Sequence, residues 1–200
     1  NKASSIYSPN NANNYYMSID LAKANYQALK YFMDNFAKST DTISENTHLV
    51  LSFDSYEEFI GAFTDIQFLK ISKHLRQVIL GQLNCKRIQH IERYLIERVL
   101  STLIEKCKYN SSRIVNISHD EIIFETDKLD DSALQSCISD IIKFELNINV
   151  HVESFKLNYI GNNTYIKEHK DSKPTFKGCS SVYMPQAVKA YYNIPIEDTD

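Results

Sequence analysis

The chain contains no tryptophan, and its 200 residues include only four glycines, four prolines and four cysteines. So little glycine and proline excludes collagen-like sequence and long low-complexity linkers. No apolar run approaches the ~20 residues that a membrane-spanning helix needs, so no membrane partner is expected. The polar first residues lack the apolar core of a secretory signal peptide. Position 1 is asparagine, not methionine, which favours a piece of a longer chain.

The composition is that of a globular protein, with 43% hydrophobic and 24% charged residues, which excludes wholesale disorder. The four cysteines, Cys85, Cys107, Cys137 and Cys179, form no Cys-x-x-Cys pair. This spacing disfavours a zinc knuckle or a redox dithiol. Widely spaced cysteines in helical patterns are typical of buried free thiols in a reducing compartment. We therefore expect an intracellular protein.

Charge is unevenly distributed along the chain, whose formal net charge is −3. Residues 70–113 contain ten lysines and arginines but only three glutamates. Such a surplus allows one surface to bind a polyanion. The alternative is a solvated helical face with no partner, and the sequence leaves both interpretations open.

Hydrophobic periodicity predicts a mixture of helices and strands. Strands are predicted at 15–20, 113–118, 122–126, 150–159 and 164–168, with a further possible strand at 48–53. Helices are predicted at 21–37, 55–63, 66–84, 88–108, 131–146 and 185–192. Ser55 and Glu58 form a capping-box pattern, and residues 161–163, Gly-Asn-Asn, predict a hairpin turn. Asp130 or Asp131 can cap the helix that follows.

The order of these elements indicates a fold class. Without the possible strand at 48–53 and the helices at about 55–110, the order is βαββαβ, that of the ferredoxin-like fold. We therefore predict an α+β domain over 15–168, with an antiparallel sheet and a large helical insertion. Residues 1–14 are predicted to be a polar tail or linker, and residues 169–200 a C-terminal extension with a short helix.

Carboxylates stand where the predicted strands end. Asp20 ends the first strand, while Asp120 and Glu121 lie at the tip of the predicted hairpin. The βαββαβ order brings these positions to one edge of the sheet. Paired carboxylates repel each other and commonly hold divalent cations, and Mg²⁺ or Mn²⁺ suits such hard oxygen ligands. The alternative is that Asp20 caps a helix and Asp120 makes a turn.

The motifs around these acids are similar to those of a known family. Residues 117–125 read ISHDEIIFE and resemble the catalytic hairpin of the family A DNA polymerases. Residues 18–21, SIDL, resemble the strand-ending aspartate of the first polymerase palm motif. A basic helix lies between the two motifs, where polymerases place the fingers helix. The resemblance is to a polymerase palm with a family A-like hairpin, and it covers roughly residues 15–160.

The resemblance implies roles for individual residues. It implies that Asp20 and Asp120 bind metal and that Glu121 assists them. It also implies that Lys73 or Arg76 contacts the triphosphate of a nucleotide, with Gln77 beside them on the same helix.

Four further residues have two interpretations each. His119 is either a contact of the primer end or of a phosphate, or simply a turn residue. Tyr26 is either a gate that senses the sugar or a core residue. Lys86 and Arg87 either contact a nucleic-acid backbone or solvate a turn between helices.

The leading hypothesis is a metal-dependent nucleotidyltransferase of the polymerase-palm type, which adds nucleotides to a nucleic-acid 3′ end. Its expected partners are a nucleoside triphosphate, DNA or RNA, and the remaining domains of a longer chain. Its expected location is the cytoplasm or a viral replication site. The alternative is a non-catalytic nucleic-acid- or protein-binding domain of a larger viral or mobile-element protein.

Overall fold

A six-stranded antiparallel sheet in the order β2-β3-β1-β4-β5-β6 forms the centre of the protein. The computed structural model of the chain describes residues 6–35, 53, 55–81, 85–129, 132–170 and 172–194. The strands are β1 (Tyr15–Leu21), β2 (Ile114–Ile117), β3 (Glu121–Thr126), β4 (Val150–Gly161), β5 (Thr164–Glu168) and β6 (Thr175–Lys177). The predicted α+β class is confirmed.

The helices of the described residues follow the predicted order along the chain. They are α1 (Ala24–Asn35), α2 (Tyr56–Gly61), α3 (Gln67–Ile71), α4 (Lys73–Gly81), α5 (Cys85–Glu105), α6 (Ser132–Leu146) and α7 (Met184–Tyr191). Helices α2 to α5 form the predicted insertion between α1 and β2. None of these helices is long and apolar enough to cross a membrane.

Alternation along β1 separates the two faces of the sheet, because successive strand side chains point to opposite sides. Met17, Ile19 and Leu21 are buried in a core shared with the helices. Tyr16 and Asp20 belong to the opposite face, where Tyr16 is buried beside strand residues of β3, β4 and β5. One face of β1 therefore holds the fold together, and the other face carries the carboxylate.

The helix-covered core is built mainly from α5, α6 and the inner face of the sheet. Its α5 residues recur at helical spacing, so that one apolar stripe faces the strands. The buried stripe residues of this helix are Leu95, Ile96, Val99 and Leu103.

The first described segment packs onto the sheet instead of trailing from it. Ile6 is only 2% exposed and contacts the core of the second face. The backbone N–H of Asn13 donates to the carbonyl of Leu157 at 2.6 Å, and the N–H of Leu157 donates to the carbonyl of Asn14 at 3.0 Å. Residues 6–14 are therefore part of the folded unit, which corrects the prediction of a tail.

Two predicted helices differ from the observed ones. β1 continues through Leu21, so α1 begins at Ala24 and not at residue 21. The predicted helix at 66–84 is divided into α3 and α4 at Ser72, whose backbone is extended. The Ser72 hydroxyl accepts a hydrogen bond from the N–H of Leu75 at 3.2 Å, as in a helix cap. A serine that caps a new helix breaks the preceding one.

Local turn chemistry is as predicted at two places. The Ser55 hydroxyl accepts from the N–H of Glu58, which caps α2. Gly161, Asn162 and Asn163 all have positive φ and connect β4 to β5. Strand β6 was not predicted, because three residues are too few to show a periodicity.

The remaining predictions concern the cysteines, the possible strand at 48–53 and the cap of α6. Among the described thiols, Cys137 is exposed and Cys107 and Cys179 are half-buried, so the prediction of buried thiols is wrong, although all three are free. The possible strand at 48–53 lies almost wholly outside the described residues, as do the candidate caps Asp130 and Asp131.

Candidate active site

Strand pairing brings the candidate carboxylates to one edge of the sheet. Asp20 is directly opposite Glu121 in the β1–β3 pair, although the two residues are far apart in the sequence. The backbone N–H of Leu21 donates to the carbonyl of Asp120 at 2.8 Å, which fixes the hairpin tip beside the end of β1. On its other side, Asp20 pairs with His151 of β4. The predicted convergence of Asp20, Asp120 and Glu121 is therefore present.

The electrostatic environment of Asp20 is unfavourable for its charge. Burial raises the pKa of Asp20 to about 7, and the charges of Asp120 and Glu121 add to this effect. Lys73 at the start of α4 opposes it only in part. Charging Asp20 is costly mainly because it is buried, and a cation bound beside it would reduce that cost.

Hydrogen bonds position the hairpin acids. The Ser118 hydroxyl donates to Oδ1 of Asp120 at 3.1 Å, and the hydroxyl oxygen of Ser118 accepts from the N–H of Glu121 at 3.1 Å. The hydroxyl of Ser18 on β1 donates to Oε1 of Glu121 at 2.6 Å. Asp120 is exposed at the turn, whereas Glu121 is held against the sheet.

A buried ion pair lies next to these acids. The Lys167 ammonium donates to Oε1 of Glu153 at 2.5 Å and is 4.0 Å from Oε1 of Glu121. It also lies 4.2 Å from the centre of the Phe155 ring. Burial opposes the charged form of Lys167, but Glu153 outweighs it and the pKa of Lys167 is raised. The lysine therefore carries a permanent positive charge between two glutamates.

Glu92 on α5 is a further acid that sequence analysis missed. Its side chain is 6% exposed, and its Oε1 has no hydrogen-bond partner among the described residues. Burial raises the pKa of Glu92 to about 7, and the charge of Asp120 adds to this. The available signal was an acid within the apolar stripe of an amphipathic helix, three and four positions before Leu95 and Ile96.

The donor atoms of this edge suit a hard divalent cation. No group of three or more histidine, cysteine, aspartate or glutamate side chains in the described part of the chain is placed to hold one metal ion. Mg²⁺, however, is commonly held by one or two carboxylates, with water and phosphate oxygens as its other ligands. Asp20 and Asp120 provide such a pair, and the raised pKa of Asp20 marks the charge that a cation would neutralise.

The basic helix α4 reaches the site with one residue. Lys73 is exposed, and its charge partly opposes the rise in the pKa of Asp20. The guanidinium of Arg76 lies 5.5 Å from the centre of the buried Tyr56 ring, and Gln77 is exposed. Of the three predicted nucleotide contacts, only Lys73 is linked to the carboxylates by a described interaction.

The other predicted contacts are at the surface. Lys86 and Arg87 are exposed near the start of α5, and the Arg87 guanidinium lies 5.3 Å from the centre of the Phe32 ring. His119 is exposed in the turn beside Asp120. Both interpretations of these three residues remain open.

Tyr26 is a core residue and not a surface gate. It is 2% exposed and packs with Tyr56 and Leu80. Its hydroxyl donates to the carbonyl of Phe53 at 3.2 Å. The interpretation of Tyr26 as a sugar-sensing gate is corrected, because both the ring and the hydroxyl are used in packing.

No protein-family model matches the chain, and a search of curated proteins found no match either. The resemblance to a polymerase palm therefore depends on the motifs and on the geometry described above.

The raised pKa of Asp20 predicts an unusual dependence of stability on pH. Between pH 4 and 7 the folded state retains a proton on Asp20 that the unfolded state releases, so stability falls as pH rises through this range. Asp20→Asn removes this loss. We expect it to raise the free energy of unfolding at pH 8 by about 1–2 kcal/mol, a value reduced for the partial exposure of Asp20. Urea unfolding without metal measures this.

The control is Glu125→Gln, which changes an exposed acid of β3 and is expected to leave stability unchanged at both pH values. At pH 4 the Asp20→Asn variant and the natural protein should unfold almost alike. An equal difference between them at pH 4 and pH 8 would show that the charge of Asp20 is not destabilising.

Proposed function

We propose that the chain is the palm domain of a metal-dependent nucleotidyltransferase, which adds nucleotides to the 3′ end of DNA or RNA. The observation that carries this proposal is the meeting of Asp20 with Asp120 and Glu121 at one sheet edge, opposite the helix-covered face. The strand order β2-β3-β1-β4 supports a ferredoxin-like palm as part of the same proposal.

The chemistry follows from the positions of the charges. Mg²⁺ or Mn²⁺ held by Asp20 and Asp120 would supply charge neutralisation at phosphate oxygens, which is the main requirement of phosphoryl transfer. Ser118 orients Asp120, and Ser18 holds Glu121 against the sheet. Lys73 presents a cation beside Asp20, where the phosphates of a nucleoside triphosphate would bind.

The basic residues give the nucleic acid a place to bind. Lys86 and Arg87 are exposed and belong to the surplus of bases at 70–113. Neutralising phosphates with such side chains gives a binding constant that falls steeply with salt. In this proposal the template or primer backbone lies along the helical insertion, and its 3′ end reaches the carboxylates.

A second candidate function, a non-catalytic binding domain of a larger assembly, is favoured by a different observation. The helical insertion exposes six large apolar side chains, each between 41% and 68%. These residues are Phe63, Ile66, Phe68, Ile71, Val78 and Ile79. Exposed apolar surface of this kind marks an interface with a partner or with another domain. This surface is compatible with the enzymatic proposal if the chain is part of a larger protein.

Metal-dependent incorporation distinguishes the two functions. The chain is incubated with a labelled nucleoside triphosphate and either a primer–template duplex or a single strand, with Mn²⁺ or with chelator. We expect Mn²⁺-dependent extension of the primer and Mn²⁺-dependent binding of the triphosphate to the protein. Nucleic-acid binding that is insensitive to chelator, with neither extension nor triphosphate binding, would contradict the enzymatic proposal and favour the binding domain.

A further inference from the structure

We infer that a cavity on the helix-covered side of the sheet binds the phosphate group of a small molecule. The cavity has a volume of about 400 Å³, which is within the range of small-molecule sites. Its walls come from α1, α2, α5, α6 and the segment that leads into β4. None of the acids Asp20, Asp120 and Glu121 lines it, so this inference goes beyond the proposed function.

One wall of the cavity is held together by the side chain of Gln27. Its amide nitrogen donates to the carbonyls of Ala22 and Asn149, both at 2.6 Å, and its amide oxygen accepts from the N–H of Asn149 at 2.8 Å. Leu95 and Ile148, which belong to the main core, also line the cavity. The cavity is therefore built on the folded core.

Basic side chains outnumber acidic ones around the cavity. The lining contains one acid, Asp34, and four bases. The bases are Lys23, Lys30, Arg98 and Lys143. Arg98 is half-buried and Lys143 is exposed, and in the described part of the chain neither forms an ion pair. A cavity with this surplus of positive charge favours an anionic ligand.

A buried hydroxyl of the lining lacks a partner. Tyr56 lines the cavity and is 0% exposed, and its hydroxyl makes no hydrogen bond with any described residue. The buried Tyr16 and Tyr26, in contrast, donate to backbone carbonyls. An unsatisfied buried hydroxyl is costly, and in native structures it commonly marks a bound water, ion or ligand. A phosphate oxygen would accept this hydrogen bond.

The lining groups together define the class of ligand. Arg98 and Lys143 supply charge-assisted donors that suit phosphate, and Tyr56 supplies a neutral donor. Leu95 and Ile148 offer apolar surface to an uncharged part of the ligand. Inorganic pyrophosphate and a nucleoside diphosphate share this phosphate chemistry, and binding measurements distinguish them.

Isothermal titration in the presence of a chelator tests this inference, because the metal-dependent site of the proposed function is then silent. The full chain is titrated with inorganic pyrophosphate and with ADP. We expect both to bind, and we expect Arg98→Gln to raise each Kd at least about tenfold, since it removes a charged hydrogen-bond donor. The matched control is Arg93→Gln on the same helix, whose side chain is exposed and paired with Glu97. It should bind like the natural protein.

A second variant, Tyr56→Phe, removes one oxygen and keeps the ring. We expect it to raise the Kd about threefold to tenfold and to leave the Tm without ligand unchanged or higher, because the hydroxyl has no described partner to lose. Tyr16→Phe is the control, since it loses a hydrogen bond to the carbonyl of Asn11. It should lower the Tm and leave the Kd unchanged. Natural affinity in Tyr56→Phe would contradict the role of its hydroxyl as a ligand donor.

The outcomes identify the ligand or overturn the inference. Tighter binding of ADP supports a nucleoside phosphate, and equal or tighter binding of pyrophosphate supports a free polyphosphate. Binding of neither at millimolar concentration, or natural affinity in Arg98→Gln, overturns the inference. Should Arg98→Gln fail to fold, Lys143→Gln takes its place with the same expectation. Asp120→Asn should bind both probes like the natural protein, and a loss of binding there would assign the phosphate to the candidate active site instead.

Discussion

Replacing Asp120 with asparagine is expected to reduce Mn²⁺-dependent nucleotide incorporation by at least about 10²–10³-fold. Asparagine keeps the size of the side chain but removes the charge that holds the cation. The backbone carbonyl of residue 120, which accepts from the N–H of Leu21, is unaffected, so the hairpin should remain in place. Single-nucleotide extension of a labelled primer measures the rate, and circular dichroism checks the fold.

Glu125→Gln is the matched control for this experiment. Glu125 is an exposed acid of β3 that lies on the same face of the strand as Glu121 but farther from the hairpin. It should retain full activity. Comparable rates for Asp120→Asn and Glu125→Gln would contradict the assignment of Asp120 as a metal ligand. They would leave the exposed apolar surface of the insertion as the functional lead.

Replacing Lys167 with methionine is expected to lower the free energy of unfolding by about 3 kcal/mol. Methionine has a similar length, so the cavity is small and the loss is mainly electrostatic. Without the ammonium, Glu153 loses its ion-pair partner and Glu121 loses its nearest cation. Chemical denaturation at pH 7 measures the difference.

The control is Lys177→Met on β6, where the side chain is exposed and a change below about 0.5 kcal/mol is expected. The double variant Lys167→Met with Glu153→Gln should be more stable than Lys167→Met alone, because the charge of Glu153, the closer of the two acids, no longer lacks its partner. A double variant that is less stable than either single variant would show that the packing of Lys167, and not its charge, stabilises this region.

These predictions reflect a difference between two sets of acids. Glu153 and Glu121 share the fixed cation of Lys167, which is part of the chain. Among the described residues, no ion pair like that of Lys167 reaches Asp20 or Glu92, and each has its pKa raised to about 7. The first pair is a structural feature that stabilises the fold. The second set is destabilising in the absence of a ligand, which is typical of a functional site.

Several features of the protein were determined by the sequence alone. Short apolar runs at 15–20 and 122–126 are enough to predict two strands, because runs of this length bounded by polar residues are typical of buried strands. Ser55 with Glu58 predicts a helix start, since the hydroxyl satisfies a backbone N–H that the first turn leaves unpaired. The Gly-Asn-Asn segment at 161–163 predicts its turn because these residues tolerate positive φ. All of these are local effects within a few residues.

Other features were decided only by the tertiary structure. That Asp20 lies opposite Glu121 depends on the pairing of β1 with β3, which joins segments about a hundred positions apart. Lys167 looks like an ordinary surface charge in the sequence, and Glu92 differs from one only by its place in an apolar stripe. The burial of both is a consequence of strands and helices from other parts of the chain. The sequence did not decide whether Tyr26 is a gate or a core residue, for the same reason. Periodicity shows which face of an element is apolar, but the partner that covers a polar residue is set by long-range packing.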